Sequence, residues 1–172
     1  TASDAAAGDG FGVSVAISGN TVLIGASGDD DGGSGSGSVY VFELNPATNS
    51  WVETQKLASS GQSASDRFGV NLKLSGETAL IGATFDDIAT SGEESGAIYI
   101  FEYNSTSNLW VETYVYTDND AFINDNIGSA MGLSGNTVIV GKPQGDDAGT
   151  NRGAIDLLDI PKVLGESKLT AS

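Results

Sequence analysis

Phe11–Ala26 reads FGVSVAISGNTVLIGA, and the chain repeats it, little changed, from Phe68 as FGVNLKLSGETALIGA and from Ile127 as IGSAMGLSGNTVIVGK. The copies start 57 and 59 residues apart. Each is followed by an acidic, Gly/Ser-rich loop and a second apolar run: SVYVFE from Ser38, AIYIFE from Ala97 and AIDLLD from Ala154. Self-similarity at a fixed period of this length decides architecture before any single residue does.

Within the first copy Phe11, Val13, Val15 and Ile17 alternate with Gly12, Ser14 and Ala16, the period-two pattern of a half-buried strand. The run that follows, TVLIGA, TALIGA or TVIVGK, is apolar throughout and reads as a strand covered on both faces. Only Ser-Gly-Asn or Ser-Gly-Glu separates the two, which makes a tight hairpin with glycine where a positive φ is needed. Each unit divides into four extended segments. They are Phe11–Ile17, Thr21–Ala26, Ser38–Leu44 and Trp51–Leu57, then Phe68–Leu74, Thr78–Ala83, Ala97–Tyr103 and Trp110–Tyr116. The third unit gives Ile127–Leu133, Thr137–Gly141, Ala154–Ile160 and Glu166–Thr170. No useful stretch has a helical apolar period, so the expected class is all-β. Four antiparallel strands in about 55 residues, repeated in tandem, are the pattern of a β-propeller blade. The expectation is one repeat array of three blades, at about 1–57, 58–116 and 117–172.

Composition narrows function. The chain has 172 residues, no Cys and no His, so it holds no disulfide or thiol and lacks the commonest general base near neutral pH. Its 23 acidic and 7 basic residues give a net charge of −16. Such a surface repels phosphate backbones and anionic lipid, so neither nucleic acid nor membrane insertion is expected. No run of about 18 apolar residues is present to span a bilayer.

The opening Phe-Gly, the Ile-Gly-Ala at Ile24–Ala26 and Ile81–Ala83, and the Gly-Ser-Val-Tyr-Val-Phe run at Gly37–Phe42 resemble FG-GAP repeats, the blades of integrin-α-like β-propellers. A bacterial-type subgroup resembles the chain more closely than integrin blades do, and the likeness covers essentially the whole chain. The resemblance implies an extracellular or cell-surface, non-catalytic propeller used for binding or structure, in many cases with calcium. In integrin-type blades calcium sits in an Asp-rich loop between the first two strands. Here that loop is Ser18-Gly19-Asn20, Ser75-Gly76-Glu77 or Ser134-Gly135-Asn136, too poor in carboxylates for the six to eight oxygens the ion prefers.

The carboxylates stand elsewhere: Asp29, Asp30 and Asp31, then Asp86 and Asp87, then Asp146 and Asp147. A second group precedes each opening strand: Asp4 and Asp9, Asp66, and Asp118, Asp120 and Asp125. If both loops of a blade share one rim, these side chains converge as candidate metal ligands. The same residues equally suit turns, where aspartate accepts hydrogen bonds from nearby amides. Ca²⁺ is therefore the one cofactor the pattern admits, and none is required. Asn104-Ser105-Thr106 matches an N-glycosylation sequon. Trp51, Trp110, Tyr40, Tyr99 and Tyr103 read as inter-blade packing before sugar stacking. Glu93-Glu94 is the only adjacent Glu pair and singles out no glycosidase.

The third copy departs from the other two: Ile127 for Phe, Lys142-Pro143 after the glycine, Asp156 for Tyr, and Pro161 after the third segment. It reads as a degenerate terminal unit. The chain begins Thr1-Ala2-Ser3-Asp4 and ends Lys168-Leu169-Thr170-Ala171-Ser172, matching the junction Lys56-Leu57-Ala58-Ser59, as a piece cut at blade boundaries would. Propellers usually take four to eight blades, so the expected partners are copies of the chain or further blades of the same chain. The expected role is a structural or self-assembling unit. The alternatives are an adhesion module that recognises protein or glycan and, behind it, a carbohydrate-active enzyme.

Overall fold

The computed structural model describes residues 1–87, 94–118, 125–145 and 153–160, and every regular element in them is a strand. The first antiparallel sheet runs in chain order through β1 (Ser14–Ser18), β2 (Thr21–Ala26), β3 (Ser38–Asn45) and β4 (Ser50–Leu57). The second repeats it with β5 (Asn71–Ser75), β6 (Thr78–Ala83), β7 (Ala97–Asn104) and β8 (Leu109–Tyr116). The third contains β9 (Ala130–Ser134), β10 (Thr137–Lys142) and β11 (Ala154–Asp159). The fourth segment expected at Glu166–Thr170, like Pro161, lies outside the described residues.

The repeat extends to the register. Ser18 faces Thr21, Ser75 faces Thr78 and Ser134 faces Thr137 across hairpins turned by Gly19, Gly76 and Gly135. Those glycines have φ of 57°, 57° and 58°, a left-handed conformation that costs glycine little. The third and fourth strands slip register between Val41 and Phe42, and again between Ile100 and Phe101.

One expectation fails. The opening strands start three residues later than the alternation predicts, because Phe11-Gly12 and Phe68-Gly69 belong to turns. Val13 N–H donates to the Gly10 carbonyl and Val70 N–H to that of Arg67. Gly12, Gly69 and Gly128 have φ of 94°, 87° and 90°, which no strand contains. Alternation at Phe11 and Val13 reflects a shared apolar side, and a turn provides that as readily as a strand.

The sheets stack face to face, the first strand of each against the preceding sheet. Leu23, Val39 and Val41 of the first sheet share one core with Phe68, Leu72, Ala79, Ile81, Tyr99 and Phe101 of the second. Leu80, Ile98 and Ile100 share another with Ile127, Met131, Val138 and Val140. Close approach is made by glycine. A methyl group on Gly25 would stand 2.1 Å from the Gly69 carbonyl oxygen, and one on Gly82 would stand 2.3 Å from that of Gly128. Phe68 is fully buried and packs edge-on against Tyr99 and Phe101 of its own blade, at 5.4 and 6.1 Å between ring centres. Phenylalanine thus anchors the turn, and glycine lets its main chain touch the neighbouring blade.

This contact predicts a position-dependent cost for one substitution. Gly82→Ala should lower the free energy of unfolding by roughly 1–3 kcal/mol through overpacking. Gly141→Ala, at the same place in the third repeat, should cost the single chain less, since its methyl group would meet the Ala130 side chain at 3.0 Å and its carbonyl oxygen no nearer than 3.5 Å. Urea denaturation of the two variants is the measurement.

Candidate functional site

A polar hub forms where the segment before the first strand, the loop after the second and the start of the third strand meet. In the first blade its centre is Tyr40, fully buried in β3 and opposite Lys56 of β4. The Tyr40 hydroxyl shares its proton between Asp4 at 2.7 Å and Asp29 at 2.9 Å. The Lys56 ammonium reaches Asp4, Asp29 and Asp31 at 2.7, 2.9 and 2.6 Å, one carboxylate for each of its three N–H donors. Ser38 Oγ donates to Asp29 as well, at 3.1 Å.

Hydrogen bonds from Lys56 and then Tyr40 hold Asp4 below the usual carboxylate range. Burial pushes Asp29 upward, but bonds from Lys56, the Asp31 amide, Tyr40 and Ser38 outweigh it and leave a net lowering. Burial likewise opposes the charged form of Lys56, yet Asp31, Asp4 and Asp29 together raise its pKa. Tyr40 is raised by burial and by Asp4, so it stays a neutral donor.

Sequence placed Asp29, Asp30 and Asp31 together as metal ligands, and the fold sorts them. Asp29 and Asp31 converge with Asp4, their carboxylate oxygens within 4.8 Å of one another. Asp30 turns away and accepts the Gly35 N–H at 2.7 Å. Lys56 already stands among the three converging carboxylates, and an ammonium and a Ca²⁺ ion cannot share one centre. The donor set fits the lysine and not a divalent ion.

The second blade keeps part of the hub. Tyr99, buried in β7, donates to Asp86 at 2.6 Å. Val115 stands opposite Tyr99, where Lys56 stands opposite Tyr40. Asp66 accepts the Ser63 N–H at 2.6 Å, as Asp9 accepts that of Ala6 at 2.6 Å in the first blade. Burial pushes Asp66 up to about 7; the Ser63 N–H opposes this, and the charges of Asp86 and Asp87 reinforce it. Asp87 itself is exposed.

The third blade answers the same need with different residues, and its departures prove coordinated. Asp156 takes the Tyr40/Tyr99 position, Lys142 that of Ala26/Ala83, and Asp118 that of Ala2/Ser59. In the first blade Ala2, Ala26 and Tyr40 form a small apolar cluster. In the third, the buried Lys142 pairs with Asp118, lies 3.2 Å from Asp156, and Tyr116 donates to Asp156. Gly145 replaces Asp29/Asp86 while keeping the turn: its N–H meets the Lys142 carbonyl as that of Asp29 meets Ala26. The residues that set this unit apart from the other two thus contact one another. Asp146 and Asp147, like Asp120 and Glu93, lie outside the described residues.

Two further ties escaped the sequence reading. Glu53 accepts both the N–H and Oγ–H of Ser3, at 2.8 and 2.7 Å, and Glu112 does the same for Ser60, at 2.9 and 2.6 Å. The signal was the repeated Trp-Val-Glu-Thr at Trp51–Thr54 and Trp110–Thr113. Asn104, the sequon residue, is exposed at the end of β7, its side-chain oxygen accepting the amides of Thr106 and Ser107. Tyr103 packs against the buried Trp110, while Trp51 remains exposed.

Antiparallel sheets of this build, each laying its first strand on the one before, define a protein of the β-propeller-blade class. The family model for the FG-GAP repeat matches residues 1–42 and 51–101, more than half of the chain. The protein belongs to the FG-GAP repeat family. Comparison with curated proteins returns no match. Among the described residues no helix is long and apolar enough to cross a membrane.

The hubs predict opposite pH responses. Asp4 and Asp29 are lowered from 3.8, so their stabilisation is complete above the unfolded value and lost as pH falls through their lower folded ones. Asp66 is raised from 3.8 to about 7, so its ionisation erodes stability as pH climbs between those values. Asp66→Asn, which still accepts from Ser63, should stabilise by roughly 1–3 kcal/mol near pH 8 and hardly at all near pH 4. Lys56→Met should destabilise by about 1–3 kcal/mol near neutral pH, because it strands carboxylates that the lysine neutralises. Thermal melts across pH check both.

Proposed function

We propose that this chain is a non-catalytic, extracellular or cell-surface propeller module with a structural role, its end faces taking up further blades. Those blades come from copies of the chain or from the same polypeptide, in a multi-subunit or filamentous assembly. One observation carries the reading: the end sheets expose the positions that the inner junctions bury. Val15 is 67 % exposed, whereas its counterparts Leu72 and Met131 are 3 % and 9 %. At the other end Ile155 and Leu157 are 66 % and 69 % exposed, where Val39 and Val41 are fully covered.

Each end therefore presents a contiguous apolar sheet face, a feature that in soluble proteins marks an interaction site. Trp51 belongs to the same pattern. It stands 43 % exposed, whereas its counterpart Trp110 is 4 % exposed and has its main chain held by Gln55 of the preceding blade. The rim hubs are occupied by their own side chains and hold no nucleophile–base pair among the described residues, which supports structure before chemistry.

Light scattering on the eluting protein should report a species larger than the 17.4 kDa chain. Dilution should return it toward the single chain with a red shift in tryptophan emission as Trp51 is uncovered. Val15→Asp should give a folded species at the single-chain mass. A wild-type chain that stays monomeric at high concentration, with emission independent of dilution, would overturn assembly from copies and leave further blades of the same polypeptide as what covers the end faces.

A further inference from the structure

We propose that the third blade closes itself with a covalent bond: Lys142 and Asp118 condense to an amide, and Asp156 carries the protons. In a chain without cysteine, this is a self-made cross-link.

The geometry is that of reactants held together. The Lys142 Nζ touches the Asp118 carboxylate and lies 3.2 Å from that of Asp156. Nucleophile, carbonyl group and proton carrier thus meet at one nitrogen. Tyr116, at the end of β8, donates to Asp156 and holds it there. Asp118 precedes the opening strand of the blade, Lys142 ends β10 and Asp156 lies in β11, so only the finished fold assembles them. Well-oriented groups in contact react as if at about 10⁵ M or more, which an amide between unactivated partners requires.

Burial supplies the second condition. The Lys142 side chain is 3 % exposed, and an apolar surrounding disfavours charge on ammonium and carboxylate alike. A proton passed from one to the other leaves an amine beside an acid, the two partners of an amide. In the first blade the same place holds Ala2, Ala26 and Tyr40 in apolar contact. A buried ion pair put there costs its desolvation and gains little over packed apolar side chains. An amide keeps the contact and removes both charges. Lys56 is the contrasting case within the chain. Its side chain is 22 % exposed; burial opposes its charge, but Asp31, Asp4 and Asp29 outweigh it. Lys56 has carboxylates but no free amine, so it stays unlinked.

The step balances without an oxidant or an activating group. The Lys142 ammonium gives one proton to Asp156, which passes it to an Asp118 oxygen. The Nζ lone pair then forms the C–N bond at the Asp118 Cγ. A second proton leaves the nitrogen for Asp156 and is returned to the protonated oxygen. The C–O bond breaks with its electron pair on oxygen, one water departs, and Asp156 ends as the carboxylate it was. The amide closes a loop between positions 24 apart, which carries β9 and β10. Such a closure restricts the unfolded chain and so favours the folded one.

Intact mass, read on the unfolded wild-type chain, is the test, and it needs no variant to fold. The chain should be lighter than its sequence by one water, and peptide mapping should return Asp118 and Lys142 in a single branched peptide. Lys142→Arg keeps the charge and should show the full sequence mass with a lower melting temperature. Wild-type chain collected unfolded and refolded from urea should lose the water as it folds. Asp156→Ala should slow that loss by about 100-fold or more. Exhaustive acetylation in urea should label Lys56 and leave Lys142 unlabelled. A wild-type chain at full mass overturns the proposal. So does a missing water that maps elsewhere, such as a cyclised Asp9-Gly10 or Asp31-Gly32. Loss at an unchanged rate in Asp156→Ala overturns the role given to Asp156.

Discussion

The structure depends on main chain touching main chain where the blades meet. Gly25 against Gly69, and Gly82 against Gly128, approach so closely that any Cβ on the first partner would overlap a carbonyl oxygen. The opening turn of one blade thereby lies directly on the second strand of the blade before it, an approach that leaves no room for a side chain on that strand. Phenylalanine in the opening turn supplies the complementary half, since its ring is held by Tyr99 and Phe101 of its own blade while its backbone is offered to the next. The two most recognisable residues of the repeat therefore form one device that joins blades. Their spacing in the sequence is the spacing of a junction, not of a strand.

The rim hubs meet a second constraint, that buried polar groups need partners. In the first two blades the loops that follow the second strands bring an aspartate under cover at the same place, Asp29 and Asp86. The first blade satisfies its aspartate with Tyr40 and a lysine shared by three carboxylates. The second retains the tyrosine–aspartate bond and places Val115 where the lysine stood. The third exchanges tyrosine for Asp156 and alanine for Lys142, converting an apolar contact into an ion pair. In the first blade the converging aspartates hold a lysine that lies far from them in the chain. Lys56 lies 25 residues from Asp31 and 52 from Asp4, and no local motif links them.

Much of the fold was legible. Thr21–Ala26 and Thr78–Ala83 begin and end where the apolar runs begin and end, because a strand covered on both faces leaves no alternation to blur its limits. The Ser-Gly hairpins were equally plain, since a two-residue turn at left-handed φ has few sequence solutions. The opening strands were less so. Phe11 and Val13 share a side with Val15, but the positive φ of Gly12 turns the chain between them.

By itself the sequence determined the number of units, the order of their strands and the positions of the hairpin glycines. These follow from local periodicity and from the conformations glycine alone adopts readily. Only the tertiary structure decided which apolar faces are covered, since Val15 and Leu72 occupy the same place in the repeat and Leu72 is buried by the first sheet packed on it. It also decided that the acidic loops hold lysine in the first blade, and that the altered residues of the third compensate one another. Side chains far apart in the chain meet at those points, and one strand's pattern carries no record of what lies across from it.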